Sequence, residues 1–113
     1  MDYMTVEIGG TAYRLAYTTN ALCQMEDRAD GVSLAVMAQR KSNQFRRLML
    51  WAALVTYQPE TTLEDAGGLL DAYRKEQGRD AIVGLIADLQ RQAGLIDENQ
   101  ENDEKNVNPP QGD

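Results

Sequence analysis

Histidine is absent from the 113 residues and cysteine occurs once, at Cys23. Imidazole acid–base catalysis, a Ser-His-Asp triad and a histidine-built metal site are thereby excluded, and one thiolate cannot build a zinc site. The densest carboxylates of the body are Glu26, Asp27 and Asp30, with Glu26 and Asp30 four residues apart and on one face of any helix. A calcium or magnesium site needs more oxygens converging from a loop than this segment supplies, so the carboxylates read as a solvated face. Gly9-Gly10 and Gly67-Gly68 lack the spacing of a phosphate loop or a dinucleotide-binding turn and are assigned to turns and packing. Cys23 reads as an inert core thiol; a single cysteine forms no internal disulfide and fits a reducing compartment. No catalytic, cofactor-binding or metal-ligating residue is assigned, and the chain is not expected to be an enzyme.

Charge narrows the partners. The formal charge is −7, from 18 acidic and 11 basic residues, and residues 97–113 hold six carboxylates against Lys105. The body is thus nearly neutral and the C-terminal segment acidic, a balance that works against nucleic-acid binding, which rests on neutralising phosphates. Arg40, Lys41, Arg46 and Arg47 form the most basic neighbourhood, around a helix junction. They read either as a solvated face with cations at a helix C-terminus or as a phosphate-binding patch. The first residues, Met-Asp-Tyr-Met-Thr, place no basic segment ahead of an apolar stretch, so no secretory signal is expected and the protein is assigned to the cytoplasm.

What would position any binding surface is a helical scaffold. Leu48 through Val55 is an unbroken apolar run that contains the only tryptophan, Trp51. It is too short to span a membrane, which takes about 20 apolar residues, and a helix apolar on all sides belongs in a core. Leu48, Trp51, Leu54 and Val55 are the expected core of this central helix, each large side chain contributing about 1.5–3 kcal/mol on burial.

The other elements must cover it. Met4, Val6 and Ile8 alternate with polar residues as in a half-buried strand, and Gly9-Gly10 permits a primed turn into a second strand. Tyr13, Leu15 and Tyr17 then face the helices, with Ala12, Arg14 and Ala16 outward. Thr18 or Thr19 caps a first helix with Leu22, Met25 and Ala29 inward, and Gly31 ends it. Ser33 caps a short second helix carrying Leu34, Val36, Met37 and Ala38, and Ser42 caps the central one, which stops before Pro59. Thr61 with Glu64 has capping-box spacing, and Thr62 with Asp65 is its weaker acidic counterpart. Gly67-Gly68 inside the fourth helix signals either close packing or a poor helix. Ile82, Leu85, Ile86, Leu89 and Ala93 stripe the fifth.

The expected fold is therefore mainly α with a small N-terminal β-hairpin, an α+β arrangement of about five short helices around the central one. Its single domain covers residues 1–96, with the hairpin at 4–17 and helices near 19–30, 33–41, 43–57, 62–77 and 79–95. Residues 97–113 are expected to be a disordered acidic tail. Met25, Met37 and Met49 lie on helical stripes and read first as core. Leu34 and Met37 are the candidate partner-binding residues, because a two-turn helix covers its neighbours incompletely and methionine adapts to varied surfaces.

The order of these elements resembles the tail assembly chaperones of long-tailed bacteriophages, prophages and gene transfer agents. The likeness is carried by Val6-Glu7-Ile8-Gly9-Gly10-Thr11-Ala12-Tyr13-Arg14-Leu15, by Thr18-Thr19-Asn20-Ala21-Leu22 with Glu26 after it, and by Gly31-Val32-Ser33-Leu34. Leu48-Met49-Leu50-Trp51-Ala52-Ala53-Leu54 and Thr62-Leu63-Glu64-Asp65-Ala66-Gly67 complete it, over residues 4–96. The resemblance implies a non-catalytic host-cytoplasmic protein without cofactor. Such a protein coats the tape measure protein, recruits tail tube subunits and is absent from the finished virion. It also implies a longer frameshifted product, for which Glu104-Lys105-Asn106 can encode a slippery A-AAA-AAY heptamer. The family supplies no residue-level binding motif. A head–tail connector subunit and a small DNA-associated helical protein are the rival readings, and self-association fits the chaperone and the connector.

Overall fold

The computed structural model describes residues 3–96. Two strands open the chain, β1 (Met4–Ile8) and β2 (Thr11–Leu15), followed by α1 (Thr19–Arg28), α2 (Leu34–Gln39), α3 (Asn43–Leu54), α4 (Leu63–Gln77) and α5 (Ala81–Gln92). The fold is mainly helical with an antiparallel N-terminal hairpin. Met4 pairs with Leu15 and Ile8 with Thr11, so the connection is the two residues Gly9 and Gly10. Their φ values of 63° and 85° are both positive, the primed-turn geometry whose twist matches the strands. The Gly9 N–H donates to Glu76 Oε2 at 2.8 Å, which ties the turn to the end of α4.

The other four helices and β2 pack on α3. Each residue from Leu48 to Leu54 is buried, and α1, α2, α4, α5 and β2 all contact this helix. A helix without a polar face needs partners on every side, and the five neighbours supply them. Trp51 is 5% exposed; its indole Nε1–H donates to the Thr61 carbonyl at 3.0 Å, and the Arg28 guanidinium lies 4.5 Å from its ring. Val55, expected in the core, is instead the half-buried C-cap of α3, packed on the core's edge. The helix stops at Leu54, ahead of its expected end, and the chain turns through 55–58 into Pro59.

The caps follow from short polar side chains in extended backbone. Thr18, Ser33, Ser42 and Thr62 each accept a backbone N–H three residues on. The capping box belongs to Thr62 and Asp65, not to Thr61 and Glu64: Thr62 N–H donates to Asp65 Oδ2 while Asp65 N–H donates to Thr62 Oγ1. The Thr61 hydroxyl is committed elsewhere, donating to the Gln58 carbonyl. At the end of α1 Gly31 has the expected positive φ, 87°, Asp30 before it is left-handed as well, at φ 55°, and the Gly31 N–H closes back on the Glu26 carbonyl at 2.8 Å. That six-to-one bond is the Schellman closure.

The hairpin's exit departs from strict alternation. Leu15, Ala16 and Tyr17 are all buried, whereas Ala16 was expected to face out. The strand ends at Leu15, and the Ala16 N–H donates to the Ala53 carbonyl of α3 at 2.9 Å, which pulls this residue inward. Among the described residues, no helix is long and apolar enough to cross a membrane.

Candidate functional site

A groove opens where α2, α3 and α5 meet. Its floor is Met37 from α2, Met49 from α3, and Ile82 and Ile86 from α5, all buried; Ala38, Val83 and Ala87 form its apolar walls. The α5 contribution recurs at 82, 83, 86, 87 and 90, a helical stripe about 12 Å long at 1.5 Å per residue. Val83 is 52% exposed, the largest exposure among the large hydrophobic side chains of the described residues. The volume is about 180 Å³, room on the order of one aromatic ring or large aliphatic side chain. The groove exists because α2 is only six residues long and cannot cover the α5 face beyond Met37.

Its rim is cationic. Arg40, Lys41 and Arg46 line it together with Gln90, and no Asp or Glu does. Arg40 and Lys41 follow the end of α2, where the helix dipole favours positive charge, and Arg46 rises from the first turn of α3. Among the described residues the ion pairs are Arg79 with Asp80 and Arg91 with Asp88, so none of the three rim cations has a carboxylate partner there. The Arg40 guanidinium lies 6.0 Å from the Phe45 ring. On a chain of charge −7, an apolar groove edged by three cations with no carboxylate partner among the described residues stands out from its surroundings.

The residues singled out in the sequence divide around this groove. Met37, a candidate partner-binding residue, is fully buried and reaches the groove only as floor; Leu34, its fellow candidate, is 5% exposed and packs in the core. Neither side chain offers free surface, because α2 turns both toward α3. Val36 and Ala38, carried on the same helix, are exposed. Arg40, Lys41 and Arg46 come together, whereas Arg47 leaves them, its side chain lying against Gly67 of α4. Val83, the exposed large aliphatic of the groove, carried no signal beyond being an aliphatic one place off the α5 stripe.

Cys23 is exposed, which corrects the expected core thiol; Ala21 and Met25 take the inward positions of α1. Glu26, Asp27 and Asp30 do not converge, and no group of three His, Cys, Asp or Glu among the described residues could hold a metal ion. Tyr17 is buried, with its hydroxyl donating to the Met49 carbonyl, and burial raises its pKa far above the ordinary phenol range. Tyr73 is raised as well, first by burial and then by the Asp88 carboxylate. Tyr57 packs edge-on against Tyr3, ring centres 5.2 Å apart, with the Arg14 guanidinium 5.1 Å from the Tyr3 ring. The acidic segment 97–113 and its Glu104-Lys105-Asn106 stretch lie outside the described residues. No protein-family model, curated protein or solved structure matches the chain.

Proposed function

We propose that this chain is a tail assembly chaperone that binds the tape measure protein of a long-tailed phage and helps recruit tail tube subunits. The observation that carries the reading is the apolar groove between α2, α3 and α5, a surface shaped for a side chain of another protein. A very long helical partner exposes repeated apolar stripes before assembly, and a small domain with one such groove covers a stripe locally; many copies would cover its length. Helix-in-groove recognition of this kind needs an apolar floor and a polar rim, both of which Met49, Ile86, Arg46 and Gln90 provide. The host cytoplasm is where tails are built, and a chaperone of this class leaves before the virion is complete.

Co-expression with the tape measure protein of the genome that carries this gene tests the proposal. A soluble complex on sizing, and absence of this chain from purified virions, are the expected results. Unchanged tape measure solubility without a complex would sink it, and finding the chain in virions would favour the head–tail connector. The three rim cations, which have no carboxylate partner among the described residues, favour one further reading, a DNA-associated helical protein. A phosphate backbone makes no use of the apolar floor between them, and a gel shift at low salt separates the two.

A further inference from the structure

From the rim charges and the apolar floor we infer that the groove selects an amphipathic helix bearing an apolar stripe flanked by Asp or Glu, and rejects the same stripe flanked by Lys or Arg. The inference deepens the chaperone reading and rests on it for the partner's existence, but its chemistry stands on the groove alone. The floor of Met37, Met49, Ile82 and Ile86 supplies burial without charge. The rim supplies charge of one sign, Arg40 and Lys41 from the end of α2 and Arg46 from α3. Among the described residues no carboxylate pairs with any of them, so an incoming acidic side chain displaces none of the described carboxylates.

Length sets the reach of the contact. The α5 stripe from Ile82 to Gln90 spans about 12 Å, a little over two helical turns, so one apolar residue of the partner enters and its neighbours a turn away meet Ala38 and Val83. Acidic residues three or four positions from the entering side chain then stand over the cations, since those positions share a helix face. Two methionines in the floor, Met37 and Met49, adapt to aliphatic or aromatic occupants, which suits a partner that presents many similar but unequal stripes. Specificity comes from the rim: basic flanks set like charges against Arg40, Lys41 and Arg46.

Two synthetic helical peptides of about four turns test this, with identical leucine stripes and either Glu or Lys at the flanking positions. Against the full chain, the Glu peptide is expected to bind at least about tenfold more tightly at low salt, with the gap closing as salt screens the rim. Arg40→Glu with Arg46→Glu should invert the preference, and Val83→Asp, at an exposed position, should weaken both peptides. Equal affinities, or binding indifferent to Val83→Asp, would overturn the inference. So would a dimer of the free chain that Val83→Asp converts to monomer, which would assign the groove to a second copy. Neutralising Asp97, Glu98, Glu101, Asp103 and Glu104 to amides should leave Glu-peptide affinity unchanged; a tenfold gain would assign the groove to the chain's own acidic segment instead. If the Glu peptide binds but the tape measure protein does not, the chaperone reading fails and the groove assignment survives. If the tape measure protein binds and the groove variants leave its affinity unchanged, the reverse holds.

Discussion

The Tyr17 hydroxyl donates to the Met49 carbonyl at 2.9 Å, so the residue that leaves the hairpin is fastened to the backbone of the residue whose side chain floors the groove. One residue earlier, the Ala16 N–H donates to the Ala53 carbonyl, one helical turn further along α3. The hairpin thus clamps the side of the central helix by backbone as well as by packing. The groove's floor is held from behind by the two residues that follow β2.

Removing that hydroxyl gives a pH signature. A phenol whose pKa is higher folded than unfolded binds its proton more tightly in the folded state, so its contribution is complete below pH of about 10 and is lost as pH rises past that value. Tyr17→Phe should cost about 1 kcal/mol at neutral pH, the net worth of one hydrogen bond. Above pH of about 10 the parent should then lose about 1.4 kcal/mol more per pH unit than the variant. Denaturant melts of both proteins from pH 7 to 12 check this, and parallel curves would contradict it.

Trp51 joins three elements: its ring is buried in the α3 core, its Nε1–H reaches the Thr61 carbonyl ahead of α4, and Arg28 of α1 lies over its face. Trp51→Ala should cost about 3–5 kcal/mol, a cavity term added to the lost transfer energy. Trp51→Phe keeps part of the packing and should cost less than Trp51→Ala. A Trp51→Ala protein that melts within a degree or two of the parent would mean that α3 is not the core helix.

How much of this was legible depends on the distance over which the cause acts. The apolar run Leu48–Leu54 declared a helix covered on every side, and the Ile82, Leu85, Ile86, Leu89 stripe declared the inner face of α5, because both are local periodicities. The caps at Ser33 and Ser42 were equally local. Cys23 and Ala16 were misread because their burial is set by a neighbouring element: α1 turns Ala21 inward instead of Cys23, and Ala53 draws Ala16 in by its carbonyl. The groove was illegible as a unit, since its residues come from three separate helices. Met37 showed beforehand, under a helix too short to cover its neighbours, and so did the basic rim, as the Arg40–Arg47 cluster, which the fold then split by sending Arg47 to the α4 side.

The two glycines inside α4 should respond differently to alanine. A Cβ on Gly68 would meet nothing within 4 Å, whereas one on Gly67 would stand 3.3 Å from Arg47 Cδ. Gly68→Ala should therefore stabilise the protein by about 0.5–1 kcal/mol, the helix-propensity gain. Gly67→Ala gains the same propensity but must displace the Arg47 stem, so its net gain should be smaller or nil. Thermal melts of the two single variants rank them. A larger gain at Gly67 would show that Arg47 yields freely and that its contact with α4 carries no energy.

Gln58 completes the edge of the hairpin from outside it. Its Oε1 accepts from the Arg14 N–H at 2.9 Å, and its Nε2 donates to the Arg14 carbonyl at 2.8 Å and to the Leu54 carbonyl at 2.8 Å. The carboxamide thus pairs with both backbone groups of Arg14, as a peptide on a third strand would, and anchors that edge to the end of α3. An open strand edge invites pairing with other chains, and this side chain occupies part of it. Gln58→Glu keeps the acceptor for the Arg14 N–H but replaces the donor by an oxygen facing two carbonyls, an unfavourable approach that Gln58→Ala avoids. The expected order of stability is parent, then Gln58→Ala lower by about 1–2 kcal/mol for bonds at a partly exposed site, then Gln58→Glu lowest at neutral pH. Hydrogen exchange at the Arg14 amide gives the local readout: it should quicken in Gln58→Ala, which leaves that N–H without a protein acceptor, while the β1–β2 ladder amides keep their protection. If the Arg14 amide exchanges at the parent rate in Gln58→Ala, the side chain does not pair with the strand in solution and the edge is open.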